Sequence, residues 1–171
     1  VTVGGSVAYD SASTAQFGYV YDGGRTDVFG YDDGTRRVPD FITNITQTSG
    51  LLPTAQVAQL SGAETSLLQS NTNIPANWSG AVSFGHAKDV GSTRLGIVGS
   101  ASLANGFRTR QTTQQDAIDL TGVARQDFNT VITDNRIVLN ALLGFGAEFG
   151  DHKLRFTNVY IHDTNKQARG S

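Results

Sequence analysis

The clearest order in the chain is an alternation of apolar and polar positions with a period of two. Over 136–149, Ile137, Leu139, Ala141, Leu143, Phe145, Ala147 and Phe149 fall on one face. Val138, Asn140, Leu142, Gly144, Gly146 and Glu148 fall on the other. An apolar face opposed by a small, partly polar one is a strand pattern. Leu95, Ile97, Gly99, Ala101 and Leu103 alternate in the same way with Arg94, Gly96, Val98, Ser100 and Ser102. A third strand is predicted over 154–162, rich in aromatic and β-branched residues such as Phe156, Thr157, Val159, Tyr160 and Ile161.

The punctuation separates two kinds of connection. Segments 150–152 and 88–92 read as tight polar turns, and 10–14 reads as a third, folding 1–9 back into 15–21. By contrast, 23–77 and 105–135 read as long, polar, irregular loops, well beyond the usual connection length. Segment 136–149 alone covers roughly 45 Å when extended. That is enough to cross a hydrocarbon core at a tilt of about 45° and project beyond it. Together these features predict an all-β fold, a partial antiparallel transmembrane β-barrel of about six or seven long meander strands. The short turns 10–14, 88–92 and 150–152 would face the periplasm, and the long loops the exterior. Within the first long loop, Ala55, Val57, Ala58, Leu60, Ala63, Leu67 and Leu68 recur partly at helical spacing. Ser61 and Glu64 have the form of a capping box, which predicts one or two short helices within 54–70.

Composition fits this picture better than it fits an ordinary soluble domain. Charged residues are 16% and hydrophobic ones only 38% of 171 residues, whereas soluble domains carry about 25% charge. In a barrel wall, lipid-facing side chains alternate with small or polar ones facing the lumen, so both fractions stay low. With no cysteine, disulfides, thiolate metal sites and a cysteine nucleophile are excluded. Thirteen Lys+Arg against 15 Asp+Glu give a net charge of −2 and no footprint for nucleic acid. No run approaches the ~20 apolar residues of a transmembrane helix, and no signal peptide opens the chain. Methionine is absent and residue 1 is Val, so the chain is expected to start inside something longer.

Candidate chemistry is sparse. His86, His152 and His162 are the only histidines, and no two share metal-ligand spacing on one element. They are expected to be solvent-exposed at turns or strand ends. Asp32-Asp33-Gly34 lacks the alternating acids and final Glu of a calcium loop and reads as a turn. Arg36 and Arg37 could pair with those acids or attract an anion at the barrel mouth. The glycines around Phe145 do not match the dinucleotide fingerprint, and no nucleophile elbow occurs. No catalytic residues, metal ligands or cofactor are therefore assigned, and the chain is not expected to be an enzyme. Most aromatics suit an interfacial girdle. Trp78 and Phe128 are the better candidates for stacking a ligand. Segment 108–134 is dense in donors and acceptors, and binding residues concentrate on loops. Arg108, Arg110, Gln114, Gln115 and Arg125 join Arg36, Arg37, Trp78 and Phe128 as candidate ligand-binding residues.

Several short segments are recognisable in order. Gly30-Tyr31-Asp32-Asp33-Gly34-Thr35-Arg36-Arg37-Val38-Pro39 resembles a segment of bacterial TonB-dependent outer-membrane receptors. Ile74-Pro75-Ala76-Asn77-Trp78 resembles the segment that follows it in that family. Residues 105–110 resemble an early barrel strand end, and 142–164 the hairpin after it. Together the matches span most of 30–169. The resemblance implies a barrel of about 22 strands closed by a plug, importing a scarce ligand with energy relayed through TonB. The ligand would be a siderophore, a cobalamin or an oligosaccharide. Residues 1–171 would be part of one such barrel domain in the bacterial outer membrane, with lipid and a small-molecule ligand as partners. TonB would act through a plug that this sequence does not contain, and the terminal aromatic assembly strand is also missing. Two unpaired strand edges follow from that reading. The rival from another class is a soluble all-β binding or adhesin module with long ligand-binding loops.

Overall fold

A computed structural model describes residues 1–21, 23–34, 40, 42–44, 54, 68–118 and 124–171, the last two spans without the side chains of 116–118 and 124–126. The alternating segments form β1 (Thr2–Ala8), β2 (Gly18–Val20), β3 (Gln69–Asn71), β4 (Asn77–Val90), β5 (Thr93–Ile118), β6 (Ala124–Phe149) and β7 (His152–Gly170). The fold is all-β and antiparallel. β1, β4, β5, β6 and β7 make one five-stranded sheet in that order, while β2 and β3 pair separately. The sheet does not close among the described residues, and β1 and β7 are its two edges.

Register follows from two tight hairpins. Val90 faces Thr93 across Gly91-Ser92, and Phe149 faces His152 across Gly150-Asp151. Gly91 has φ +63° and Gly150 φ +56°, while Ser92 and Asp151 stay at negative φ. Glycine at the first central position is what a type II′ turn needs, and its twist matches that of the flanking strands. The turns are thus shorter than 88–92 and 150–152, whose outer residues belong to the strands.

With the register set, the period-two pattern sorts side chains onto two faces. Phe84, Gly99, Leu143 and Asn158 share one rung; Lys88, Leu95, Ala147 and Leu154 share another on the same side. This first face carries Val82, Phe84, Leu95, Leu143, Phe145, Phe149, Leu154, Phe156 and Tyr160, all exposed, with Leu154 at 65% and Phe156 at 58%. Phe84 lies flat over Gly99, where a Cβ would come within 2.5 Å of the ring. The second face holds Ser79, Ser83, Gly85, Gly96, Ser100, Ser102, Asn140, Gly144 and Gly146. Of its exposed apolar exceptions, Val98, Val159 and Ile161 cluster near the middle of β5–β7, and Phe128 stands apart on the polar half of β6.

Three expectations are corrected. First, 105–118 and 124–135 are not irregular loop, because β5 and β6 pair rung by rung from Thr93↔Phe149 to Asp116↔Gln126 and again at Ile118↔Ala124. Beyond Asn105 both faces turn polar, so the apolar alternation that marks a strand disappears while the backbone ladder continues. Second, 10–14 does turn the chain, with Ser13 N and Thr14 N donating to the Asp10 carbonyl at 3.0 and 2.7 Å. It does not lead into a wall strand, and it lies at the end away from the hairpins. β1 runs from the Ser83 rung to the Asn77 rung, so it delivers the chain to the far end of the sheet. Third, the sheet has five strands where six or seven were expected, since β2 spans only three residues and pairs with β3. Of the segment 54–70 predicted to hold helices, only Thr54 and residues 68–70 are described, and Gln69 and Ser70 belong to β3.

Residues 9–21, 23–34 and 68–76 form a cap over the far end of the first face, against β6 and β7. The core sits there, with Ile74 and Ile137 fully buried. Tyr19 N donates to Thr133 Oγ1 at 3.1 Å, and Thr109 N donates to Ser13 Oγ at 2.8 Å, stitching cap to sheet.

Candidate functional site

The Gly30-Tyr31-Asp32-Asp33-Gly34 motif is the pin that fastens this cap to β7. A 3-10 turn over Asp27–Phe29 ends at Gly30, whose φ of +81° is open to glycine and strained for other residues. The Gly30 carbonyl then accepts from His162 Nε2–H at 2.9 Å and from the Thr164 hydroxyl at 2.9 Å. Tyr31 stacks on the His162 ring with centroids 4.1 Å apart and planes 3° from parallel. Its hydroxyl also meets that of Tyr160, and that hydrogen bond, with some burial, raises the Tyr31 phenol above its ordinary pKa. Gly34 N donates to Asp32 Oδ1 at 3.2 Å, turning the motif locally, and Asp33 accepts from Arg25 N at 2.8 Å, tying it to the preceding segment. Lys166 pairs with Asp27 at 2.6 Å and lies over the Tyr21 ring. His162 is thus half-buried and engaged, not the exposed strand-end histidine expected from sequence.

The polar ribbon beyond the cap sorts the candidate residues. Arg108, Arg110, Gln114 and Phe128 lie on the second face of the sheet, because Arg108 faces Asp134 and Gln114 faces Phe128 in one continuous register. Gln115 lies on the first face, where its amide donates to Asp127 at 3.3 Å. Trp78 also lies on the first face, at the start of β4 between Val7 and Asn105. It therefore stands on the apolar wall and not in a loop, and the structure does not bring it near Phe128. Arg36 and Arg37 lie outside the described residues, as does the side chain of Arg125.

Sequence reasoning missed the partners of these arginines. Arg110 Nη2 donates to Asp134 at 2.6 Å, and Asp134 also accepts from Gln167 at 2.7 Å. Burial pushes the Asp134 carboxyl up, but the Gln167 and Asn165 amides and the Arg110 charge outweigh it and hold the group below its usual range. Arg136 grips Asp163 with both arms of its fork, Nε donating to Oδ1 at 2.9 Å and Nη2 to Oδ2. Arg169 donates to Gln114 at 2.7 Å. Opposite charges set diagonally on one face, two rungs apart, could have been found only once the hairpin register was known. Among the described residues, no three His, Asp or Glu side chains are grouped as metal ligands.

The Arg136–Asp163 pair has a testable pH signature. The bidentate hydrogen bonds hold the Asp163 carboxyl below its usual range despite some burial, helped by the charges of Arg136 and His162. A depressed carboxyl contributes fully above the unfolded pKa of about 3.9, and the contribution is lost as pH falls through the folded value. Asp163→Asn is expected to melt slightly lower than the wild type by the same margin from about pH 7 to pH 5. Below about pH 4 the margin should close. A margin that widens in acid would contradict this assignment.

No known protein family, characterised protein or solved structure matches the chain.

Proposed function

We propose that the chain is a segment of the wall of a TonB-dependent outer-membrane receptor, which takes up a scarce ligand of the siderophore, cobalamin or oligosaccharide class. The observation that carries this reading is the height of the exposed apolar face. It is bounded by the Phe149–Thr93 rung at the hairpin end and, on β4 and β5, by the Trp78–Asn105 rung at the other, while on β7 the Tyr31 clasp reaches down to Tyr160. On β5 those rungs are separated by about 40 Å of strand. At a tilt of about 45° they span close to 28 Å, the thickness of a hydrocarbon core. An aromatic ring at each boundary suits an interfacial girdle. Both tight turns lie at one end and the capped, polar extensions at the other, as in barrels with short periplasmic turns and long external loops. The motif containing Tyr31 would then be the clasp of the first external loop. The open edges at β1 and β7 would be paired by further wall strands, as a bilayer requires.

The test is purification of the full chain with and without detergent. We expect it to fold only in micelles or vesicles, with a β-rich spectrum and protease protection of β4–β7. A sharp, cooperatively melting monomer in plain buffer would favour the soluble binding module and defeat the membrane reading.

A further inference from the structure

On the second face of the sheet, beyond the apolar band, an open groove of about 570 Å³ is lined by Gly106, Arg108, Asp134, Arg136, Asp163 and Asn165, with Phe107 at its border. Within and beside it, three guanidinium groups (Arg108, Arg110, Arg136) meet two carboxylates (Asp134, Asp163). Both carboxylates are consumed. Asp163 is held bidentately by Arg136, and Asp134 accepts from Arg110, Gln167 and Asn165. Little acceptor capacity remains for a cation or a sugar hydroxyl. Donors, by contrast, are in surplus. Arg108 is exposed and makes no ion pair or side-chain hydrogen bond with any described residue. It stands opposite Asp134 and two rungs, the next position on the same face, from the Gly106–Arg136 pair. Gly106 leaves the floor open, since a Cβ there would meet nothing closer than the Asn77 side chain at 3.8 Å. Arg169, engaged with Gln114, adds further positive charge on the same face.

We propose that this groove is an oxyanion site, in which Arg108 makes a forked contact with a carboxylate or phosphate of the ligand. The paired arginines on either side hold the groove's shape and supply its positive field. The ligand class deepens the transport reading and rests on it for the side of the sheet that faces water.

The test is calorimetric titration of the full chain, folded in micelles, with sodium citrate, inorganic phosphate and uncharged maltotriose at fixed ionic strength. We expect saturable binding of citrate or phosphate and none of maltotriose, with the preferred oxyanion separating a carboxylate ligand from a phosphorylated one. Arg108→Ala should weaken that binding about tenfold or more, as loss of a charge-assisted forked contact does. Arg108→Lys should restore only part of it, because a point charge lacks the fork. Arg94→Ala, on the same face at the hairpin end, should bind as the wild type does. The proposal is overturned by absence of saturable binding of either oxyanion, by equal affinity in Arg108→Ala, or by equal loss in Arg94→Ala. Arg108-dependent citrate binding by a chain that melts as a sharp monomer in buffer would keep the site and defeat the membrane reading. A micelle-inserted chain that ignores both oxyanions would do the reverse.

Discussion

Leu143→Arg is expected to destabilise the bilayer-inserted sheet by about 2–4 kcal/mol, whereas Ser100→Arg is expected to change its stability by less than about 1 kcal/mol. The two positions stand on adjacent rungs, Gly99↔Leu143 and Ser100↔Leu142, and so face opposite sides of the same sheet. Leu143 lies near the middle of the apolar band, where an arginine must be buried in hydrocarbon or drag water towards it. Ser100 lies on the face of serines, asparagine and glycines; Leu142 and Val159 share its rung, but an arginine there reaches along the lumen side to water and stays hydrated. The contrast is what matters, because both side chains gain the same charge at nearly the same height. Guanidinium unfolding of the full chain from phospholipid vesicles measures both. Equal effects at the two positions would mean that both faces see the same solvent, and the barrel-wall reading would fail.

Segments with one apolar face were legible in the sequence, and segments without one were not. The face assignments over 95–103 and 136–149 hold in the structure because a one-residue register slip would move every apolar side chain to the wrong side. The polar halves of β5 and β6 carried no such signal. Thr109, Thr112, Thr113, Thr130 and Thr133 are good strand residues, but with polar neighbours on both faces they read equally well as loop. Their pairing is a continuation of a hairpin already in register, a long-range fact that composition does not report. The same gap hid the site. Arg108 and Arg110 stood out as cations in a polar stretch, yet their difference (one paired with Asp134, one free) depends on which residue lies across the ladder. Trp78 erred in the other direction. It stands out in the sequence as an aromatic at the end of the first long loop, but β4 begins at Asn77 and alternation points the ring onto the apolar wall. Asp32-Asp33-Gly34 was rightly read as a turn. What it fastens, the Tyr31–His162 stack, joins residues too distant in sequence for any local pattern to reveal.

Ile74→Ala should detach the cap while leaving the sheet intact, at a cost of about 2–4 kcal/mol to the docked state. Ile74 is the most deeply buried apolar side chain among the described residues, at 0% exposure. It is held in place by its backbone, whose N–H donates to Gln16 O at 3.4 Å and whose carbonyl accepts from Ala15 N at 2.9 Å. Its side chain presses on Gly18, where a Cβ would lie 3.1 Å from Cδ1 and only 2.5 Å from Thr133 Oγ1. Removing the isoleucine leaves a cavity that the short β2–β3 pair is too small to collapse around. Gly18→Ala tests the same joint from the opposite side, since the added methyl must displace Thr133 and break its bond from Tyr19 N. Both variants should make 9–21 and 23–34 readily cleaved by protease while β4–β7 keep their strand signal and amide protection. That separation is expected because none of the β4–β5 or β6–β7 pairing runs through Ile74. Simultaneous loss of cap and sheet would show instead that the cap is part of one cooperative core, and the Tyr31 motif would then be structural glue for the wall, not the clasp of a separable loop.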